Sequence, residues 1–238
     1  MRIPRIFLPV PLAAGALVTL DGTAANHLTR VLRLKPGAEL VLFNGEGGEY
    51  PAVLEAAATA RLGALRAVEC ESPLAITLVQ GISRAERMDF TIQKAVELGV
   101  THIVPVFAAR SVVELRGERL QRRIQHWQGV IVGACEQCGR NRVPALDAAV
   151  DLSEWLRRAP APSLRLVLNH RATASLHTLP RPTALTLLIG PEGGLEESEL
   201  SQAERAGFIG MRLGPRVLRT ETAAVAALAA LQTLWGDF

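Results

Sequence analysis

From Ser72-Pro73 onward, short apolar runs alternate with amphipathic segments of helical length, and few folds accommodate that alternation. Leu74 to Gly81 reads LAITLVQG, apolar on both faces of an extended chain. A strand without a polar face has to be covered on both sides. Alternation of such strands with helices therefore predicts a parallel sheet with helices on each face. Further strands are predicted at Ile103–Phe107, Leu164–Leu168, Ala184–Ile189 and Gly210–Leu213. The helices expected between them begin with one that places Met88, Ile92, Ala95, Val96 and Gly99 on one face at three- and four-residue spacing. Glu118–Cys135, Glu196–Ala206 and Glu221–Trp235 follow. Ala159–Pro162 and Leu179–Pro182 read as surface connections.

The first 71 residues follow another rule. Glycines and prolines recur every few positions, and short apolar runs lie between them at Ala16–Leu20, Glu39–Phe43, Tyr50–Leu54 and Leu65–Val68. That spacing predicts a small β-barrel. One segment, Asn26–Leu34, reads instead as a helical turn or two closed by Lys35-Pro36-Gly37. The expected division is residues 1–71 and residues 72–238.

Composition narrows the function classes. No apolar run approaches the roughly 20 residues that span a bilayer. The apolar stretch near the N-terminus is broken by Pro9 and Pro11, so no secretion signal is expected. Three cysteines, Cys70, Cys135 and Cys138, form no regular framework, which suits a reducing cytoplasm. The formal net charge is +3. Only Lys35 and Lys94 are lysines, so 24 of the 26 basic residues are arginine, the better bidentate partner for phosphates and base edges. A biased genome explains such a count equally well, so position is the more informative feature.

Two loops stand out by position. Ile189-Gly190-Pro191-Glu192-Gly193-Gly194-Leu195 follows an apolar strand and precedes a helix, where ligands of open parallel sheets bind and where glycine lets backbone approach closely. A plain tight turn remains the alternative. The segment lacks the Gly-Lys-Ser/Thr of a phosphate-binding loop and the G-x-G-x-x-G dinucleotide fingerprint, so neither a nucleoside triphosphatase nor a Rossmann-type enzyme is supported. Leu213-Gly214-Pro215-Arg216-Val217-Leu218-Arg219-Thr220-Glu221-Thr222-Ala223-Ala224 likewise follows a strand and opens a helix, with Thr220 as the expected N-cap. Two arginines beside a helix N-terminus oppose its positive potential, and an anionic ligand would relieve that. His170 should line the same cleft.

Cys135-Glu136-Gln137-Cys138 has the C-x-x-C spacing, but no second ligand pair accompanies it, so no metal site is expected. Glu136 within it and Arg140 just beyond it have no evident structural partner, and Arg142 follows; a solvated helix end, where arginine suits the dipole, is the alternative. Lys94 and Glu97 are spaced for a surface ion pair. No serine lies in a G-x-S-x-G setting.

Taken in order, QKAVELGV, PVFAARS, EQCGRNRVP, LNH, IGPEGGL and LGPRVLRTETAA resemble the bacterial family of small-subunit rRNA uridine N3-methyltransferases, of the SPOUT class. Arg5-Ile6-Phe7 and HLTRVLR at 27–33 match that family's opening pattern, and the resemblance spans the whole chain. It implies a PUA-like β-barrel ahead of an α/β SPOUT domain with a parallel sheet and a deep trefoil knot, and a homodimer acting on 16S rRNA. It also implies S-adenosyl-L-methionine as cofactor, held by Leu168 and His170, by Ile189, Gly190, Pro191, Glu192 and Gly193, and by Leu213, Gly214, Val217, Leu218, Arg219 and Thr222. The expected base-facing groups are Arg219, Glu136 and Arg140, and the expected RNA contacts are Arg5, Arg30, Arg33 and Arg142. A ribose 2′-hydroxyl methyltransferase and a non-catalytic RNA-binding protein on the same fold are the rival readings.

Overall fold

The computed structural model describes residues 3–56, 58–112, 115–158, 164–174, 176 and 179–238. Its backbone falls into two compact units, one of residues 1–71 with 132–143, the other of residues 72–131 with 144–238. The connection expected at Ala159–Pro162 lies outside the described residues.

In the first unit, β1 (Arg5–Phe7), β2 (Leu17–Thr19), β3 (Glu39–Phe43), β4 (Tyr50–Ala56) and β5 (Thr59–Leu62) form a curled sheet in the order β1-β3-β4-β5-β2. Only β1 and β3 pair in parallel. Inward residues alternate along the strands, Ala52 and Leu54 in β4 and Ala60 and Leu62 in β5, and they close a core with Ile6, Leu28 and Leu40. Leu65–Val68 forms no strand, contrary to expectation. Arg66 exchanges two backbone hydrogen bonds with Glu49 (2.8 and 2.9 Å), but Leu65 and Val68 are exposed, and with no face to bury the pairing goes no further.

Helix α1 (Gly22–Asn26), capped by Asp21 Oδ1 accepting from the Ala24 amide at 2.8 Å, runs into a wider π-turn over His27–Val31. The turn is closed by the Leu34 amide donating to the Leu28 carbonyl at 2.9 Å, with Arg33 between them at φ 54°. The arrangement is like a Schellman motif but one residue wider, in keeping with the π-turn: a left-handed residue just past the helix, bracketed by fully buried Leu28 and core-packed Leu34. Glycine usually fills the left-handed position. An L-residue there costs about 1–2 kcal/mol.

In the second unit, all strand pairings are parallel, as the apolar runs require. The strands are β6 (Ala75–Gly81), β7 (Val100–Phe107), β8 (Ala145–Leu146), β9 (Val150–Asp151), β10 (Leu164–Leu168), β11 (Ala184–Ile189) and β12 (Ile209–Met211), in the order β12-β10-β11-β6-β7-β8 with β9 also on β7. The helices are α2 (Ala85–Glu97), α3 (Gly117–Cys138), α4 (Leu152–Arg158), α5 (Glu197–Arg205) and α6 (Thr220–Trp235). The last turn of α3 groups with the first unit. Helix α2 buries Met88, Ile92, Ala95 and Val96, the face its spacing marks. It packs on α6, which buries Ala224, Ala227, Leu228, Leu231 and Trp235 at the same spacing. Each fully buried leucine there stabilises the unit by roughly 1.5–3 kcal/mol. Lys94 and Glu97 make the surface ion pair that their spacing suggests, at 2.7 Å. Among the described residues no helix is long and apolar enough to cross a membrane.

Candidate active site

Three loops at neighbouring strand ends of the second unit line one cavity of about 260 Å³. Strand β10 delivers Leu168, Asn169 and His170; β11 delivers Ile189, Gly190, Pro191, Glu192 and Gly193; β12 delivers Leu213, Arg216, Val217 and Leu218. Because β12, β10 and β11 are adjacent and parallel, their carboxyl ends open on the same edge, where ligands of such sheets bind. The first two loops and most of the third were marked by the sequence. Gly214, Arg219 and Thr222 are not among the lining residues; Arg219 and Thr222 are exposed.

The loops are held from behind by a relay of buried polar groups. Gln80, at the end of β6 and without solvent exposure, donates from Nε2 to Thr220 Oγ1 at 3.1 Å. Thr220 Oγ1 in turn donates to the Gly190 carbonyl at 2.7 Å. Thr220 is therefore not the N-cap. Arg219 occupies that position without a side-chain capping bond, because the threonine hydroxyl is committed to Gly190. A second brace is electrostatic. Glu192 accepts from the Arg84 amide at 2.9 Å and lies 3.4 Å from Arg87, whose Nε is 3.8 Å from Glu221. Arg87 thus ties the second loop to the first turn of α6. Gln80 carried no motif and Arg87, in the segment Arg84–Asp89, none that pointed to these loops; only the fold brings them behind the loops. Thr220→Val, which keeps the shape and removes the hydroxyl, is expected to weaken ligand binding in this cavity about tenfold and to lower stability by about 1–3 kcal/mol. Calorimetry and thermal unfolding check the two effects, and Thr220→Ser should restore both.

The cavity wall is rich in unused backbone donors. Among the described residues the amides of Glu192, Gly193, Val217 and Leu218 donate to no protein acceptor. Apolar Leu213, Val217 and Leu218 lie beside them. Such a site suits a ligand with a flat apolar body and hydrogen-bonding edges. Arg216 lines the cavity and Arg219 stands exposed next to it in sequence, neither within 4 Å of a carboxylate among the described residues.

Glu136 and Arg140 are placed differently from expectation. Neither lines the cavity, and both have the structural partners that the sequence did not reveal. Arg140 is buried, its Nε 3.0 Å from Glu71 Oε1 and its Nη2 2.5 Å from Glu71 Oε2. Glu136 accepts from the Phe7 amide at 2.9 Å, which fastens β1 to the end of α3. Arg5 is also spent within its unit: it pairs with Glu49, donates to Asn141 Oδ1 at 2.6 Å, and stacks over Phe43 at 5.1 Å. Glu136 at the end of α3 and Arg140 and Asn141 just beyond it thus contact β1 and residues 68–71 of the same unit. Of the expected RNA contacts, Arg30, Arg33 and Arg142 are exposed, and Arg142 has a loose partner in Glu69 at 3.7 Å.

Burial raises the Glu136 carboxyl above the usual carboxylate range, against the lowering effect of the Phe7 amide. The folded state therefore holds this proton more tightly than the unfolded chain. The stabilisation is present below the unfolded value and is lost as pH rises through the folded one. Glu136→Gln, which still accepts from Phe7, should flatten that decline in a pH series of thermal unfolding and should keep catalytic turnover. Burial also pushes the Cys135 thiol up to about 12, so Cys135 supplies no reactive thiolate. No group of three or more metal-ligating side chains occurs among the described residues.

Residues 70–232 match the family model of the RNA methyltransferase domain, and residues 20–61 that of the RNA methyltransferase PUA domain. Ribosomal RNA small subunit methyltransferase E of Buchnera aphidicola subsp. Schizaphis graminum is 34% identical over 241 residues, covering 99% of this chain and 98% of the relative. The Neisseria gonorrhoeae protein of that name, solved bound to S-adenosyl methionine, is 41% identical, with a TM-score of 0.93 over 100% of both chains. A Legionella pneumophila structure in complex with the cofactor SAM is 40% identical, with a TM-score of 0.97 over 100% of both chains. The chain belongs to the ribosomal RNA small subunit methyltransferase E family.

Proposed function

We propose that the protein transfers a methyl group from S-adenosylmethionine to N3 of a uridine in 16S rRNA. The observation that carries this reading is the cavity of three strand-end loops with four amides that have no acceptor among the described residues, in a chain whose relatives at 40% and 41% identity are solved with that cofactor. The residues present fit the group. Leu213, Val217 and Leu218 offer apolar surface for the adenine, and the amides of Glu192, Gly193, Val217 and Leu218 offer donors to its ring nitrogens and to the ribose and carboxylate oxygens. Leu168, His170, Ile189, Gly190 and Pro191 complete the wall. Gly214, at φ 66°, turns the third loop, and Thr222 lies in the first turn of α6 that follows it.

Bound S-adenosylmethionine supplies an electrophilic methyl group on a sulfonium. The chain's own task is to align the acceptor and to favour the deprotonated form of uracil N3. Alignment lowers the barrier by several kcal/mol. Arg219, exposed and free of any carboxylate within 4 Å among the described residues, is the cation suited to stabilise charge developing on the base. Because N3 lies on the pairing edge, the acceptor must be unpaired or flipped out. Arg30, Arg33 and Arg142 hold RNA through its phosphates. The reading includes the trefoil knot and the homodimer of the SPOUT class. Nucleoside mass spectrometry of small-subunit RNA from a strain lacking the protein tests it. One 3-methyluridine should disappear. Its persistence, or loss of a ribose-methylated nucleoside in its place, would contradict the assignment.

A further inference from the structure

The turn at Arg30–Arg33 combines three unusual features. Leu28 and Leu34 are fixed in the core of the first unit six residues apart, so the residues between them project outward. Among those, Val31 is 67% exposed and Leu32 40%, two aliphatic side chains side by side on the surface. They are flanked by Arg30 and Arg33, both exposed, with no ion pair to either arginine among the described residues. Residues 27–35 contain no acid and carry Arg30, Arg33 and Lys35, a charge of +3 that equals the formal net charge of the whole chain.

Arg33 makes the arrangement informative. It occupies the left-handed position that glycine fills with less strain, at φ 54°. Among the described residues its side chain makes no hydrogen bond or ion pair that would repay that strain. A feature held against local conformational preference, on a surface, points to something outside the chain.

We infer that Arg30–Arg33 is a contact for unpaired RNA in which Val31 and Leu32 take the face of an exposed base and the two arginines take the phosphates on either side of it. The inference rests on the reading that this chain acts on RNA, and deepens it by naming where a single-stranded segment is held. Charge selects a polyanion. The apolar pair selects one whose bases are unstacked, because a duplex shows its backbone and base edges while only a single strand shows the flat face of its bases. A second copy of this chain, bearing the same positive charge at the same place, would be repelled.

The two halves of the contact have separable signatures. Binding of the full-length protein to a fluorescein-labelled 16S rRNA fragment, as a single strand and annealed to its complement, is followed by anisotropy across a salt series. Val31→Ser/Leu32→Ser should weaken single-strand binding about tenfold, leave duplex binding unchanged and keep the slope against log salt. Arg33→Gly should lower affinity for both forms and make the slope shallower by about one phosphate contact, while its melting temperature equals or exceeds that of the parent. That opposition of stability and binding is not expected of a merely structural residue. Parent-like single-strand affinity in the serine double variant would overturn the inference, as would equal losses on duplex and single strand, a fall in melting temperature for Arg33→Gly, or a change in oligomeric state of the serine variant by sedimentation. S-adenosylmethionine calorimetry on the same samples keeps the broader reading separate: if the parent binds neither RNA form nor the cofactor, the proposed function fails; if it binds both and the variants match it, only this contact fails.

Discussion

Gly81→Ala is expected to lower S-adenosylmethionine affinity, and kcat/KM for methyl transfer with it, by about 100-fold, although residue 81 does not line the cavity. A methyl group on Gly81 would lie 2.5 Å from the Pro191 nitrogen and 2.8 Å from the Gly190 carbonyl carbon. Both are backbone atoms and cannot rotate away. Strand β6 is pinned between β11 and β7 by parallel ladders on both sides, so it cannot yield either. The loop at Gly190–Pro191 has to move instead, and the Thr220 hydroxyl bond to Gly190 moves with it. Displacement of a binding wall by about 1 Å commonly costs two orders of magnitude. The overpacking itself should destabilise the fold by about 1–3 kcal/mol. Calorimetry at a temperature where the variant is folded isolates the binding effect. Parent-like affinity would mean that this loop does not shape the site.

The second large effect concerns Arg140, which the structure pairs with Glu71. Arg140→Met leaves the Glu71 carboxylate without its bidentate partner in a largely buried setting. Loss of about 3 kcal/mol of stability is expected, at the lower end of the range for breaking a buried pair because Glu71 retains some exposure. For a chain of this length that lowers the melting temperature by roughly 6–12 °C. Adding Glu71→Gln should recover part of the loss, since the second substitution removes the stranded charge. Turnover measured below the melting transition should stay near the parent's. A stable Arg140→Met protein with lost turnover would return Arg140 to the catalytic machinery.

The contrast between these two residues shows what a sequence of this kind makes legible. The parallel sheet was readable because its strands are apolar on both faces, and the two strand-end loops because glycines and arginines there have no simple structural use. Both properties are local. The partners of Glu136 and Arg140 were not legible because Phe7 and Glu71 are 129 and 69 residues away, and nothing in the local pattern announces a long-range contact. The roles of Gln80, Arg87 and Gly81 escaped notice for the same reason: an ordinary residue becomes a brace only when a distant loop is laid against it. The strand expected at Leu65–Val68 failed because alternation of apolar residues does not guarantee a face to bury. Short strands at Arg5–Phe7 and Thr59–Leu62 and helix α4 were not anticipated, as each is too short to carry a period.

The central claim is that this cavity directs a methyl group to uracil N3 of small-subunit RNA. Its most direct measurement is incubation of the purified protein with unmodified 16S rRNA, or small subunits containing it, and S-adenosylmethionine bearing a deuterated methyl group, followed by digestion and mass spectrometry. The expected result is one deuterated 3-methyluridine per RNA, formed about 100-fold more slowly by Gly81→Ala at the same enzyme and subsaturating cofactor concentration. Label recovered on a ribose 2′-hydroxyl, on another base, or nowhere would contradict it.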